Sequence, residues 1–118
     1  WMDKKFNLID TPGYSDFIGE AIGSLSVVDL AVITIHAVNG VEVGTETMWN
    51  HATRLGIPKM LVVNGIDREH TKFDTILTQV RSRFGNNVFP MQLPVNEGPG
   101  YNQNVDVLRT ELILFMEQ

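Results

Sequence analysis

Cysteine is missing from the 118 residues, so neither a disulfide framework nor a thiolate metal centre can be built from them. Basic residues are also scarce. Nine Lys and Arg face fourteen Asp and Glu, the net charge is −5, and no basic run occurs, which argues against general attraction to a nucleic-acid backbone. No apolar stretch is long enough to cross a bilayer, and no charged, apolar, small-residue leader opens the chain. The chain therefore reads as soluble and cytoplasmic, with no membrane partner. What is plentiful is apolar side chain: 43% of the residues are hydrophobic, enough for one domain with a real core.

Short apolar runs alternate with segments of helical period, the pattern of parallel strands covered by helices. FNLID (6–10), DLAVITIH (29–36) and KMLVVN (59–64) are rich in Val, Ile and Leu, lack interior Pro or Gly, and are expected as buried strands. Between them, Ile18, Ala21, Ile22 and Leu25, and then Met48, Ala52 and Leu55, recur at spacings of three and four. Each set makes one apolar helical face. Phe73, Ile76, Leu77, Val80 and Phe84 make a third. Gly56 with Pro58 is expected to stop the second helix, and Gly85 with Asn86 and Asn87 the third. Beyond Val88 the rhythm changes. Pro90 and Pro94 suit an edge or irregular strand, 96–104 has the composition of a loop, and 105–115 reads as strand or helix, with Val105, Val107 and Ile113 favouring strand.

In open α/β sheets ligands gather beyond the carboxyl ends of the strands. Here the first expected strand ends in Asp10 followed by Thr11, Pro12 and Gly13; the second ends in His36 and runs into Asn39 and Gly40; the third ends in Asn64, with Asp67 three residues on. Asp10 suits a magnesium ion, which takes oxygen ligands and keeps several waters. Gly13 would let its backbone N–H approach a phosphate without a side chain in the way. A simple turn with Pro at its second position explains the same tetrapeptide. An Asp67 carboxylate accepts two N–H bonds from a guanine edge, and an Asn64 amide bridges base and neighbouring loop, although Asn-Gly is also a strong turn pair.

Order and spacing separate these readings. NLIDTPGYSDF, followed by VVDLAVITIHAVNGVEVGTETMWNHATRLGIPKMLVVNGIDR, resembles the GTP-binding domain of translational GTPases, most closely elongation factor G and its paralogues. The likeness runs from Trp1 through Glu46, Thr47 and Trp49 to PMQLPV and NVDVL, essentially the whole chain. The resemblance implies a P-loop NTPase-like three-layer α/β sandwich with a mostly parallel sheet. It implies that Asp10, Thr11, Pro12 and Gly13 form the switch that senses Mg2+ and the γ-phosphate of GTP. It implies also that Asn64 and Asp67 read the guanine, and that the ribosome is the partner of the longer parent protein.

Two departures stand out. The family places His directly after Asp-x-x-Gly, where it organises the attacking water; this chain has Tyr14, a phenol that hydrogen-bonds water but offers no cation. Tyr14 is the candidate catalytic residue, and some elongation factor G paralogues look similar at this position. The family also has Lys in Asn-Lys-x-Asp, whose stem covers the base; this chain has Gly65. A Gly-x-x-x-x-Gly-Lys-[Ser/Thr] phosphate loop does not occur, and in the family it lies upstream of Trp1.

The expectation is a fragment lacking the phosphate-loop strand, with residues 1–87 the central part of the GTP-binding domain and 88–118 the start of an inserted subdomain. Alone it is expected neither to bind GTP or GDP tightly nor to hydrolyse GTP. The sheet would then close by direct pairing of the strands at 6–10 and 29–36, by borrowing a strand from a second copy in a strand-exchanged dimer, or by rearrangement. Two other readings stay open. One is a degenerate GTPase serving as a ribosome-binding scaffold, motivated by Tyr14 and Gly65. The other is a flavodoxin-like or receiver-like α/β module. His36, His51 and His70 lie on separate segments without metal-ligand spacing, and Asp16 and Glu20 suit a helix start.

Overall fold

Alternation along two strands decides the layout. β1 (Ala31–His36) and β2 (Lys59–Asn64) pair in parallel, in register from Ala31 opposite Lys59 to His36 opposite Asn64. Ala31, Ile33 and Ile35 are buried, and Leu61 and Val63 share their face. Ile35 is the only large side chain almost fully enclosed among the described residues, at 1% exposure. The opposite face, carrying Val32, Met60 and Val62, stays open to solvent. The computed structural model describes residues 2–115; Trp1 and residues 116–118, which belong to the expected units, lie outside the described residues.

Three helices cover the buried face. After a short 3-10 turn at Ser15–Phe17 comes α1 (Ile18–Leu25); α2 (Val43–Arg54) and α3 (Phe73–Phe84) follow β1 and β2. Leu25 of α1 and Ala52 of α2 meet Ala31, with Met48 packed alongside, while Ile76 and Val80 of α3 meet Ile35 and Ala37. Of the expected apolar stripes, Ala21 is buried, and Leu25, Met48, Ala52, Ile76, Val80 and Phe84 pack into the core, whereas Leu55 ends half exposed just beyond α2. Trp49 of α2 stacks on Phe84 of α3 with ring centroids 4.3 Å apart, and Lys59 lies over the Trp49 ring at 5.0 Å. Gly56 stops α2 as expected: at φ +69° it turns the chain so that the Ile57 N–H donates to the Ala52 carbonyl at 2.9 Å.

Beyond α3 the chain builds a second sheet, antiparallel in the order β3 (Gln92–Pro94), β4 (Gln103–Asp106), β5 (Glu111–Leu114). Pro94 sits in an edge strand, where a missing N–H costs no ladder bond. The stretch 105–115, open between helix and strand from its sequence, becomes the end of β4, a turn with Thr110 at φ +58°, and β5.

One expected strand is not there. Residues 6–10 are irregular, with Phe6, Leu8 and Ile9 at 65%, 92% and 52% exposure. The physical reason is pairing: β1 bonds to β2 alone, and no described strand offers 6–10 a partner. An extended segment with neither a ladder nor a covered face is not held. Direct closure of 6–10 onto β1 therefore does not occur, and the outer edge of β1 is unpaired among the described residues.

Candidate functional site

Parallel pairing brings the carboxyl ends of β1 and β2 together. His36 stands opposite Asn64, and the Ala37 N–H donates to the Asn64 carbonyl at 2.8 Å. After β1 the chain reverses tightly: the Gly40 N–H donates to the His36 carbonyl at 2.9 Å, and the Val38 N–H to His36 Nδ1 at 3.3 Å. Gly40 is at φ +73°, and a Cβ there would collide with the Gln79 side chain, whose Oε1 accepts the Val41 N–H at 3.1 Å. Glu42 then caps α2, its carboxylate accepting from the Thr45 backbone while Thr45 Oγ1 accepts from the Glu42 N–H. The loop carrying Asn39 and Gly40 is accounted for by structure, and His36 works as an acceptor in a turn.

The loop after β2 is different, because its polar side chains point outward while its backbone is tied down. Gly65 adopts φ +78°, and the Arg68 N–H closes a turn onto the Gly65 carbonyl at 3.2 Å. Ile66 is held twice through its carbonyl, by Thr71 Oγ1 at 3.0 Å and by the Gly98 N–H at 2.8 Å. Glu97 reaches across as well, accepting the Phe73 N–H at the start of α3 at 2.9 Å. The side chains of Asn64 and Asp67 are exposed and make no hydrogen bond to another described residue. Asp67 is felt electrostatically by Tyr101, whose phenol is pushed above its usual range, first by burial and then by the nearby Asp67 charge, against a lowering hydrogen bond with Asn104. The loop thus presents the Asn64 and Asp67 side chains to solvent from a backbone that hydrogen bonds hold in place.

The segment Asp10–Tyr14 lies elsewhere, along the unpaired side of β1. It lines a cleft of about 930 Å3 with Ile18 and Leu25 of α1, Val32 and Thr34 of β1, and the first turn of α2. Asp10, Pro12, Gly13 and Tyr14 are exposed and Thr11 is half-buried; Tyr14 is 80% exposed, and only its carbonyl is engaged, accepting the Phe17 N–H at 3.0 Å. A Cβ at Gly13 would meet nothing within 4 Å. Asn64 and Asp67 do not line this cleft, so the structure brings together Asp10 to Gly13 as one group and Asn64 with Asp67 as another. Asp10 fits one role toward Mg2+: among the described residues no three acidic or His side chains converge, and one exposed carboxylate suits an ion that takes its other oxygens from phosphate and water.

A profile of the "Elongation factor Tu GTP binding domain" matches residues 1–116 of the chain. The chain belongs to this family. The GTP-binding domain also resembles a crystal structure of a protein from Thermus thermophilus, with a TM-score of 0.82 and 37% identity over 92% of this chain. It spans only 16% of that longer chain. The fold is accordingly that of a translational GTPase domain in part: a parallel sheet with three helices, P-loop NTPase-like in architecture. Two features of the domain escaped sequence reading. The ties from Gly98 to the loop after β2 and from Glu97 to the start of α3 span more than twenty residues and have no local signature. The placement of Arg68 beside Gly65 follows from the positive φ at Gly65, for which the Asn-Gly pair was a signal.

Proposed function

We propose that this chain is the switch and base-reading part of an elongation factor G-like GTPase, and that the longer parent binds and hydrolyses GTP on the ribosome during translocation. The observation that carries the reading is the anchored loop after β2, which holds the Asn64 and Asp67 side chains outward at the carboxyl end of a parallel sheet. In this reading the Asp67 carboxylate accepts the paired N–H groups of the guanine edge, and the Asn64 amide links base to loop. Asp10 holds Mg2+ through one oxygen or through water, and the ion offsets the charge of the terminal phosphates. Gly13 presents its N–H to the γ-phosphate, where the open space around its Cα leaves room for the phosphate. Tyr14, readily reached by solvent, stands where the attacking water is organised. Positioning and charge stabilisation supply nearly all of such catalysis.

The same proposal assigns residues 1–87 to the central part of the GTP-binding domain and 88–118 to the start of an inserted subdomain, in a cytoplasmic protein with no membrane partner. Because the chain contains no phosphate loop, it alone neither binds GTP or GDP tightly nor hydrolyses GTP. Its β1 edge, unpaired among the described residues, makes a strand-exchanged dimer the expected associated state. A second reading, a GTPase turned ribosome-binding scaffold, is favoured by Tyr14 and Gly65. Titration of the full-length parent with a fluorescent GDP analogue, beside this chain and with and without Mg2+, decides between them. Tight Mg2+-dependent binding by the parent alone supports the GTPase; no binding by either supports the scaffold.

A further inference from the structure

Arg68 is one of the exposed side chains that the turn after β2 leaves without a hydrogen bond to a described residue. It is exposed, and its guanidinium forms no ion pair with a described carboxylate, the one such pair being Arg83 with Glu46. Its position is nevertheless defined. A Cβ built on Gly65 would lie 3.4 Å from Arg68 Cδ, 3.5 Å from Nε and 3.8 Å from Cγ, so the Arg68 stem runs in van der Waals contact alongside position 65. The turn bond from the Arg68 N–H to the Gly65 carbonyl at 3.2 Å fixes the root of that side chain. Asn64 directly precedes the same turn and Asp67 lies within it, both exposed.

We infer that Arg68 is a base-binding residue that supplies from position 68 the cover Gly65 does not supply, lying against the face of a purine whose edge meets Asp67. The chemistry suits it. A guanidinium is planar, weakly hydrated and stacks on aromatic faces, and its stem adds apolar contact beside the ring. The two contacts divide the work: the Asp67 carboxylate distinguishes bases by their N–H groups, whereas a stacked guanidinium strengthens every purine alike. Neighbouring ties keep the arrangement in place, since Thr71 Oγ1 is hydrogen-bonded to the carbonyls of Ile66 and Arg68 at 3.0 and 2.9 Å.

This inference rests on the guanine-binding reading, and the test separates the two. Fluorescent GDP and IDP analogues are titrated into the full-length parent carrying Arg68→Ala, Arg68→Lys or no change, with thermal midpoints measured in parallel. Arg68→Ala is expected to weaken both nucleotides roughly 10-fold, leaving their ratio and the midpoint unchanged, with Arg68→Lys intermediate because the stem remains. If the parent binds GDP and Arg68→Ala binds equally well, the inference fails while the guanine reading stands. It fails also if affinity falls only together with the midpoint, which marks a structural role. No binding by the unchanged parent overturns both.

Discussion

At the scale of single residues, the proposed function and stability fall on different side chains. Asp67 is exposed and bonded to no described residue, so replacing it leaves the fold alone. Asp67→Asn in the parent removes a charged acceptor for two N–H groups; GDP affinity is expected to fall on the order of 100-fold with no change in thermal midpoint, as read by fluorescence titration and calorimetric scanning. Ile35 is the converse case, enclosed between Ile76, Val80 and Ala37. Ile35→Ala should lower stability by about 2–5 kcal/mol in urea denaturation, because the pocket between sheet and α3 has little room to collapse.

Tyr101 adds a pH dependence. Its phenol is raised above the ordinary value of 10.0 by burial and by Asp67, so the folded state holds that proton more tightly than the unfolded chain does. The contribution is present in full below the unfolded value and is lost as pH rises through the folded one. Urea denaturation carried from about pH 9 to beyond the ordinary phenol range should show a loss of stability that Tyr101→Phe makes shallower. An unchanged slope in the variant would assign the alkaline loss to other groups.

At the scale of elements, local sequence and packing agree for the three helices and disagree for the first expected strand. α2 begins on a reciprocal cap between Glu42 and Thr45, and Asn39 Nδ2 donates to Glu42 at 3.4 Å. Glu42→Ala should cost about 0.5–2 kcal/mol, measurable as a shifted denaturation midpoint. The helical stripes were legible because period alone reports which face is apolar, and Ala21, Leu25, Ala52, Ile76 and Val80 are indeed enclosed. FNLID was misleading because its composition states a preference for extended, buried backbone, while a strand exists only where another strand pairs with it. The candidate site divides in the same way. Asn64 and Asp67 could be placed at a strand end from spacing, but the bonds from Thr71, Glu97 and Gly98 that hold their loop and the start of α3 include ties between segments distant in sequence.

At the scale of the whole molecule, the consequence is a two-stranded sheet with one covered face and outer edges that no described strand pairs. Val32, Met60 and Val62 present apolar surface on the open side, and the outer edge of β1 offers N–H and C=O groups that no described strand pairs. Edges of this kind template pairing with another chain. Light scattering across a concentration series should show association of this chain, reduced by Thr34→Lys, which places a charge on the β1 edge strand. A monomer at every concentration would rule out the strand-exchanged state.

Sequence by itself determined what depends on near neighbours: the alternation of β1 and β2, the stripes of α1, α2 and α3, the stop at Gly56, and the polar pairs that end the strands. Tertiary structure alone decided what depends on partners distant in the chain. It left 6–10 without a strand because no described strand pairs with it, and put the Arg68 stem against Gly65, whose φ is +78°. It also tied the loop after β2 to residues beyond α3. Side-chain period is a local property of the backbone, whereas hydrogen-bond partners across a sheet or between loops are chosen only when the whole chain has folded.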